Sequence, residues 1–305
     1  MKSFQIKFWG VRGSIPTPGP RTIRYGGNTP CLEVRFQNGP FFILDAGSGI
    51  RDLGNKLLKE KDPVEAFIFI SHFHWDHIQG LPFFRPAYKP GNRFTILGSD
   101  DAAMALDQII AFQMNPTYFP VAIQDMRAEI RFRSLREESF ELQGVHVQTI
   151  YLNHPGYALG YRFTYRGKSF VYFSDNEPFQ DQYPPGTTNT IGQHKNRVED
   201  LFDNFVENKN EHFVEFCRGA DVLIHDSQYF PEEYEIKQTW GHSPFTFTVD
   251  LAIQSGVKHL ILFHHDPDHN DDKVDQKLVL AKSLLQDRGA NIQCYAAREG
   301  WSFVL

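Results

Sequence analysis

Ser71-His72-Phe73-His74-Trp75-Asp76-His77 sets three imidazoles and a carboxylate within six residues, directly after the apolar run Phe67-Ile68-Phe69-Ile70. That run is short, aromatic and β-branched, so it reads as a buried strand that stops where the polar side chains begin. His72 and His74 stand two apart at the strand end and can point the same way, toward one ion. Asp76 and His77 follow once the chain has turned, within reach of a second ion close by. Imidazoles crowded at a buried strand end are costly unless something uses their lone pairs, and a metal does. A histidine-rich surface loop is the plain alternative, but chance spacing rarely sets Asp beside His two residues after His-x-His.

Other apolar runs end in similar groups. Val145 to Leu152 runs into Asn153-His154-Pro155-Gly156, and Ser169 to Phe173 into Ser174-Asp175-Asn176-Glu177. Val222-Leu223-Ile224 is followed by His225-Asp226, and Leu260 to Phe263 by His264-His265-Asp266. Taken singly these are weak signals: His154 is only suggestive, Asp175 reads as a turn residue, and His242, in Trp240-Gly241-His242-Ser243-Pro244, as a neighbour of a helix cap. Asp45-Ala46-Gly47, between the strand Phe41 to Leu44 and a helix from Ile50 to about Lys59, is more often a cap than a site. Gly10-Val11-Arg12-Gly13, after a first strand over Lys2 to Trp9, reads as a plain turn.

The remaining pattern supplies the frame. Strands are expected over Cys31 to Phe36, with an Asn38-Gly39 hairpin turn after it, over Phe94 to Leu97 and over Tyr157 to Tyr165, with terminal strands within Ile292 to Leu305. Helices are expected over Asp101 to Phe112, Val198 to Val206, Phe245 to Gln254 and Val274 to Gln286. The stretch 183–196 reads as a surface excursion, 131–141 as the join between halves, and His269 with Asp268, Asp271 and Asp272 as a solvated loop. The proline- and aromatic-rich loops at 82–88 and 115–120 suit a substrate lid and ordinary packing equally.

His72-x-His74-x-Asp76-His77 resembles the signature of the metallo-β-lactamase fold hydrolases, and the likeness recurs along nearly the whole chain. It implies an α/β fold, a four-layer αββα sandwich of two mixed sheets with outer helices, spanning 1–305 as a single domain. It also implies that the Gly10–Gly13 loop lies on the rim of the site and that Asp45 braces the histidine loop without binding metal. His72, His74 and His154 would then hold one ion, Asp76, His77 and His264 the other, with Asp175 bridging. The family often has glycine or threonine after the bridging aspartate; Asn176-Glu177 departs from that and makes the loop unusual. Ribonuclease Z and the phosphoribosyl cyclic phosphate phosphodiesterases resemble this chain at Asp226 and His242, where an acid orients a histidine near the scissile phosphate. The second of these often adds a cysteine-built zinc site, which Cys31, Cys217 and Cys294 do not supply.

Composition narrows the setting. The chain has 305 residues, 22% charged and 41% hydrophobic, with net charge −6, values of an ordinary globular protein. No lysine- or arginine-rich run is present, which argues against a protein whose main task is gripping nucleic acid. No apolar run approaches the ~20 residues needed to cross a bilayer. Three scattered cysteines point to a reducing cytoplasm rather than a disulfide framework. A small phosphodiester is the expected partner, with no membrane, and a homodimer is an admissible assembly.

The expected function is thus a binuclear metal-dependent hydrolase, a phosphodiesterase acting on a small phosphodiester, cyclic or open, or on a nucleotide. Two divalent ions, zinc, manganese or iron, would share a hydroxide that attacks phosphorus in line. His242, protonated beside Asp226, would give a proton to the leaving oxygen, and Asp76 joins these two in the expected catalytic set. The alternatives are hydrolysis of a lactone, thioester or lactam on the same ions and, more distantly, a non-catalytic nucleotide-binding sensor.

Overall fold

Alternation in Phe4-Gln5-Ile6-Lys7-Phe8 buries Phe4, Ile6 and Phe8 and turns Gln5 and Lys7 away from the core, as a strand with one face on a core requires. The computed structural model describes residues 3–179 and 209–305. One seven-stranded sheet holds β1 (Phe4–Gly10), β2 (Cys31–Phe36), β3 (Phe41–Leu44), β4 (Glu65–Phe69), β5 (Arg93–Ser99) and β6 (Glu129–Leu135), closed outside β1 by β14 (Ser302–Val304). The other holds, in order from one edge, β7 (Ser139–Leu142), β8 (Val145–Tyr151), β9 (Leu159–Tyr165), β10 (Lys168–Phe173), β11 (Val222–Asp226), β12 (His259–Phe263) and β13 (Gln293–Ala296). Both sheets are mixed: β3 to β6 run parallel, as do β10 to β13, and the remaining pairs are antiparallel.

Between the sheets lies an aromatic core. Phe42 and Phe69 of the first sheet meet Phe163 of the second at 5.6 and 5.1 Å between ring centres, and Phe69 also meets Tyr161 at 5.4 Å. The outer face of the first sheet is covered by α1 (Ile50–Leu57) and α3 (Leu106–Phe112), through Ile50, Leu53 and Ile110 against Ile43, Ile68 and Ile96. The second sheet is covered by helical residues 209–217 (α4), α6 (Phe245–Ser255) and α7 (Asp271–Asp287), through Phe213, Val249 and Ala281 against Leu223, Leu260 and Leu262. Two short helices, α2 (Trp75–Ile78) and α5 (Pro231–Tyr234), sit in the loops that follow β4 and β11. The result is the expected αββα sandwich.

Several expectations need correction. The helix expected from Asp101 begins at Leu106, because Asp101 accepts the N–H of Ala103 and Asp100 that of Leu106; such local turns compete with helix. The stretch 131–141 needs no such correction: it joins the halves as expected, β6 closing one sheet and β7 opening the other. Asp271 and Asp272 form the first turn of α7, and Asp271 and His269 are buried, so this is no solvated loop; His269 Nε2 lies 3.0 Å from Glu233. Phe83 rests edge-on against Phe119 at 5.3 Å, so the two aromatic loops pack together. The excursion at 183–196 and the helix expected over Val198 to Val206 lie outside the described residues.

Candidate metal centre

The parallel strands β4 and β10 to β12 deliver their polar residues at one edge, because each apolar run ends where its strand leaves the core. Beyond β4, Ser71 and His72 are buried, and His74 has extended backbone that opens α2, carrying Asp76 and His77 back into the interior. β8, β10 and β12 then bring His154, Asp175 and His264 to the same place. His72, His74 and His154 have ligand atoms within 4.8 Å of one another, and so do Asp76, His77, Asp175 and His264. The residues expected at two sites are thus gathered into those two groups.

Asp175 faces both. Its Oδ1 lies 3.1 Å from His77 Nε2 and 3.4 Å from His264 Nε2. Its Oδ2 lies 3.7 Å from His72 Nε2 and 4.0 Å from His154 Nε2. Asp76 Oδ2 stands 3.2 Å from both His77 Nε2 and His264 Nε2, and accepts the Ser14 N–H at 2.7 Å. The Gly10–Gly13 loop is therefore on the rim of the site, and not a plain turn. A side chain at Gly13 would come within 2.4 Å of the His264 ring.

The outer nitrogens of His77, His154 and His264 are engaged elsewhere, which turns the inner ones toward the centre. His77 Nδ1 donates to Asp45 Oδ2 at 2.9 Å, and Asp45 also accepts from Ser71 N at 2.7 Å and Tyr172 Oη at 2.6 Å. His154 Nδ1 donates to the Gly241 carbonyl at 2.9 Å, and His264 Nδ1 to Gln228 Oε1 at 2.8 Å. Asp45 and His264 hold positive φ of 58° and 57°, a conformation that non-glycine residues adopt mainly where surrounding contacts impose it. The Asp45 brace was legible from the motif; Ser14, Tyr172 and Gln228 were not, since single residues meeting distant partners leave no spacing to read.

Whether this set suits a cation is tested by what stays unpaired. His72 Nε2, His77 Nε2 and Asp175 Oδ1 are buried without a hydrogen-bond partner, a costly state for polar atoms unless a ligand takes their lone pairs. Burial drives His72 well below the ordinary imidazole value and His154 down to about 4, so both rings are neutral, as ligands must be. Burial opposes ionisation of Asp175 too, but His264, His77 and His72 outweigh it and hold the carboxyl well below its usual range. His77 is likewise opposed by burial, yet Asp175, Asp76 and Asp45 raise it well above the ordinary value. The carboxylates around His77 thus favour a positive charge at the centre. Nitrogen and oxygen donors alone make up these groups.

Beside the centre, His242 Nδ1 donates to Asp226 Oδ2 at 2.9 Å and lies 3.7 Å from Asp175 Oδ2. Burial pulls His242 down, but Asp226 and Asp175 outweigh it and lift it to about 9. A cavity of about 430 Å³ opens over these groups, lined by Ser14, Phe73, Trp75, Asp76, Asp175 and His242 among others, with Trp75 82% exposed at its mouth. A larger hollow of about 560 Å³, lined by Arg24, Tyr25, Tyr295 and Trp301, shares no residue with it. The convergent imidazoles and carboxylates, not size, mark the smaller one as the site.

Residues 41–189 match the family model described as a beta-lactamase superfamily domain. The fold is that of the metallo-β-lactamase fold protein YhfI from Bacillus subtilis, with a TM-score of 0.68 at 16% identity, covering 99% of this chain and 100% of that one. The chain has the metallo-β-lactamase fold and is a metal-dependent hydrolase. It is similar to ribonuclease Z of Picrophilus torridus, 24% identical over 93% of this chain and 92% of that protein. Unliganded yeast PDE1 shares the fold with a TM-score of 0.63 at 16% identity, over the whole of both chains. Among the described residues of this hydrolase, no helix is long and apolar enough to cross a membrane.

Proposed function

We propose that this chain is a binuclear phosphodiesterase acting on a small phosphodiester, cyclic or open, or on a nucleotide. The observation that carries the reading is the buried Asp226–His242 pair beside the carboxylate that faces both histidine groups. His72, His74 and His154 would hold one divalent ion, Asp76, His77 and His264 the other, and Asp175 would touch both; oxygen and nitrogen donors admit zinc, manganese or iron. Bound there, two such ions would supply Lewis acidity toward the phosphoryl oxygens and a water acidic enough to act as nucleophile near neutral pH.

The protein's own groups do the rest. Asp226 accepts from His242 Nδ1 and so leaves Nε2–H as the proton that His242 can give to the leaving oxygen. A phosphodiester needs such a donor because its leaving alkoxide is a strong base, whereas the thiolate of a thioester leaves without one. Ser14 N–H holds Asp76 in place, and Phe73 and Trp75 line the cavity, where a base joined to the phosphate would meet aromatic rings. The similarity to a ribonuclease supports phosphodiester chemistry. The absence of lysine- or arginine-rich runs from the sequence favours a small substrate over a long nucleic acid.

His242→Ala tests this reading. Turnover of bis-p-nitrophenyl phosphate and of a cyclic nucleotide is expected to fall, the latter by ~10²–10⁴-fold, with metal content unchanged by elemental analysis. Loss of metal in that variant, or wild-type turnover confined to lactone or nitrocefin in the same panel, would refute the assignment.

A further inference from the structure

Glu177, two residues beyond Asp175, is buried, and both of its carboxylate oxygens are taken by donors from one stretch of chain. Oε1 accepts from Tyr234 Oη at 2.8 Å and from Thr239 N at 2.7 Å, and Oε2 accepts from Gly241 N at 2.8 Å. Its backbone is tied in as well: Glu177 N donates to Asn153 O at 2.9 Å, and Asn153 Nδ2 donates back to Glu177 O at 3.0 Å. One residue thus joins the end of β10, the loop that carries His154, and the loop that carries His242.

The 239–241 loop is one that needs holding. Thr239 has φ of 72° and Gly241 of 85°, and the first is β-branched, for which this region is unfavourable. Gly241 passes so close to His154 that a side chain there would come within 2.1 Å of Nδ1. Its two backbone groups face two ways: the N–H meets Glu177, and the carbonyl accepts from His154 Nδ1 at 2.9 Å. A carbonyl can only accept, so this bond fixes the proton on Nδ1 and leaves Nε2 bare toward the centre. The next residue is His242, and the one after it, Ser243, donates to Asn176 O at 2.5 Å.

We propose that Glu177 is a positioning residue: by fixing Gly241, it sets the tautomer of His154 and the approach of His242 to Asp226 at the same time. The second half rests on the reading of His242 as proton donor; the first does not. Glu177→Gln is nearly isosteric but has a single acceptor oxygen. With that oxygen toward Thr239 and Tyr234, its NH₂ meets the Gly241 N–H donor to donor, and the loop is released.

Two readouts separate this from a merely structural role. In metal-free protein carrying ¹⁵N-histidine, long-range proton–nitrogen spectra are expected to show His154 protonated on Nδ1 in the wild type and as a mixture of tautomers in Glu177→Gln. In the loaded enzymes, aryl methyl phosphates with p-nitrophenol and with unsubstituted phenol as leaving groups report on the proton donor. Loss of a positioned acid slows the poorer leaving group more: kcat for the phenyl ester is expected to fall ~10–100-fold and for the p-nitrophenyl ester under ~3-fold. His242→Ala should show the same bias more strongly. Equal loss on both esters with His154 still protonated on Nδ1 would overturn the proposal. Should His242→Ala itself show no bias, the proton-donor reading fails, and the tautomer of His154 alone decides for or against Glu177. If Glu177→Gln does not fold, Glu177→Asp, which keeps the charge but cannot reach both Thr239 and Gly241, is put through the same two measurements, with the same results expected and the same results overturning the proposal.

Discussion

Asp175 turns one oxygen to His77 and His264 and the other to His72 and His154, so a two-ion site stands or falls with this side chain. Asp175→Ala is expected to remove at least one ion per chain, measured by elemental analysis after reconstitution; full two-ion occupancy in the variant would take Asp175 out of the ligand set. How legible each residue was follows from how many neighbours share its job. His72, His74, Asp76 and His77 lie in one run, and spacing alone marks them. His154, Asp175 and His264 each stand alone after a strand, so only the likeness to a family picks them out. Glu177 was visible only as a departure from that family's pattern, because its partners are mostly backbone N–H groups of a loop more than sixty residues on, and backbone groups carry no sequence signature.

At the scale of elements, strand ends were read well, since a buried parallel strand is a continuous apolar run with an abrupt finish. Helix starts were read less well. α3 begins late because aspartates before it make turns of their own, and α7 begins early, at Asp271, where Asn270 caps it by accepting from Lys273 N at 2.8 Å. α7 also holds the floor of the site. Lys277, fully buried, donates to the carbonyls of Ser227 at 2.6 Å and Gln228 at 2.7 Å, the residues that follow Asp226 and include the partner of His264. Burial lowers Lys277 to about 7, although Asp266, Glu233 and Asp226 favour its charged form. Below that value the folded protein carries a buried ammonium. From about 7 up to the ordinary lysine range the unfolded chain binds a proton that the folded one does not, so stability rises with pH across that window. Urea unfolding at pH 7 and pH 9 is expected to show the wild type gaining stability relative to Lys277→Met. An unchanged difference between the two would mean that Lys277 titrates normally.

The whole molecule places two similar sheets face to face, with Phe42, Phe69, Tyr161 and Phe163 locking them together. Such a packed interior moves little, so groups from β4, β8, β10 and β12 meet at one edge with the few-ångström accuracy that cation ligation demands. Apolar patterning showed this architecture only in outline. The return of β14 to pair with β1, Gln5 opposite Val304, had no local signal, because strand partners are chosen by the fold and not by the strand. At its centre the molecule is expected to hold a cation on each side of Asp175. Anomalous diffraction from crystals of the wild-type hydrolase grown with manganese or zinc tests this most directly. Two peaks are predicted, one among His72, His74 and His154 and one among Asp76, His77 and His264. A single peak, or peaks away from both groups, would contradict it.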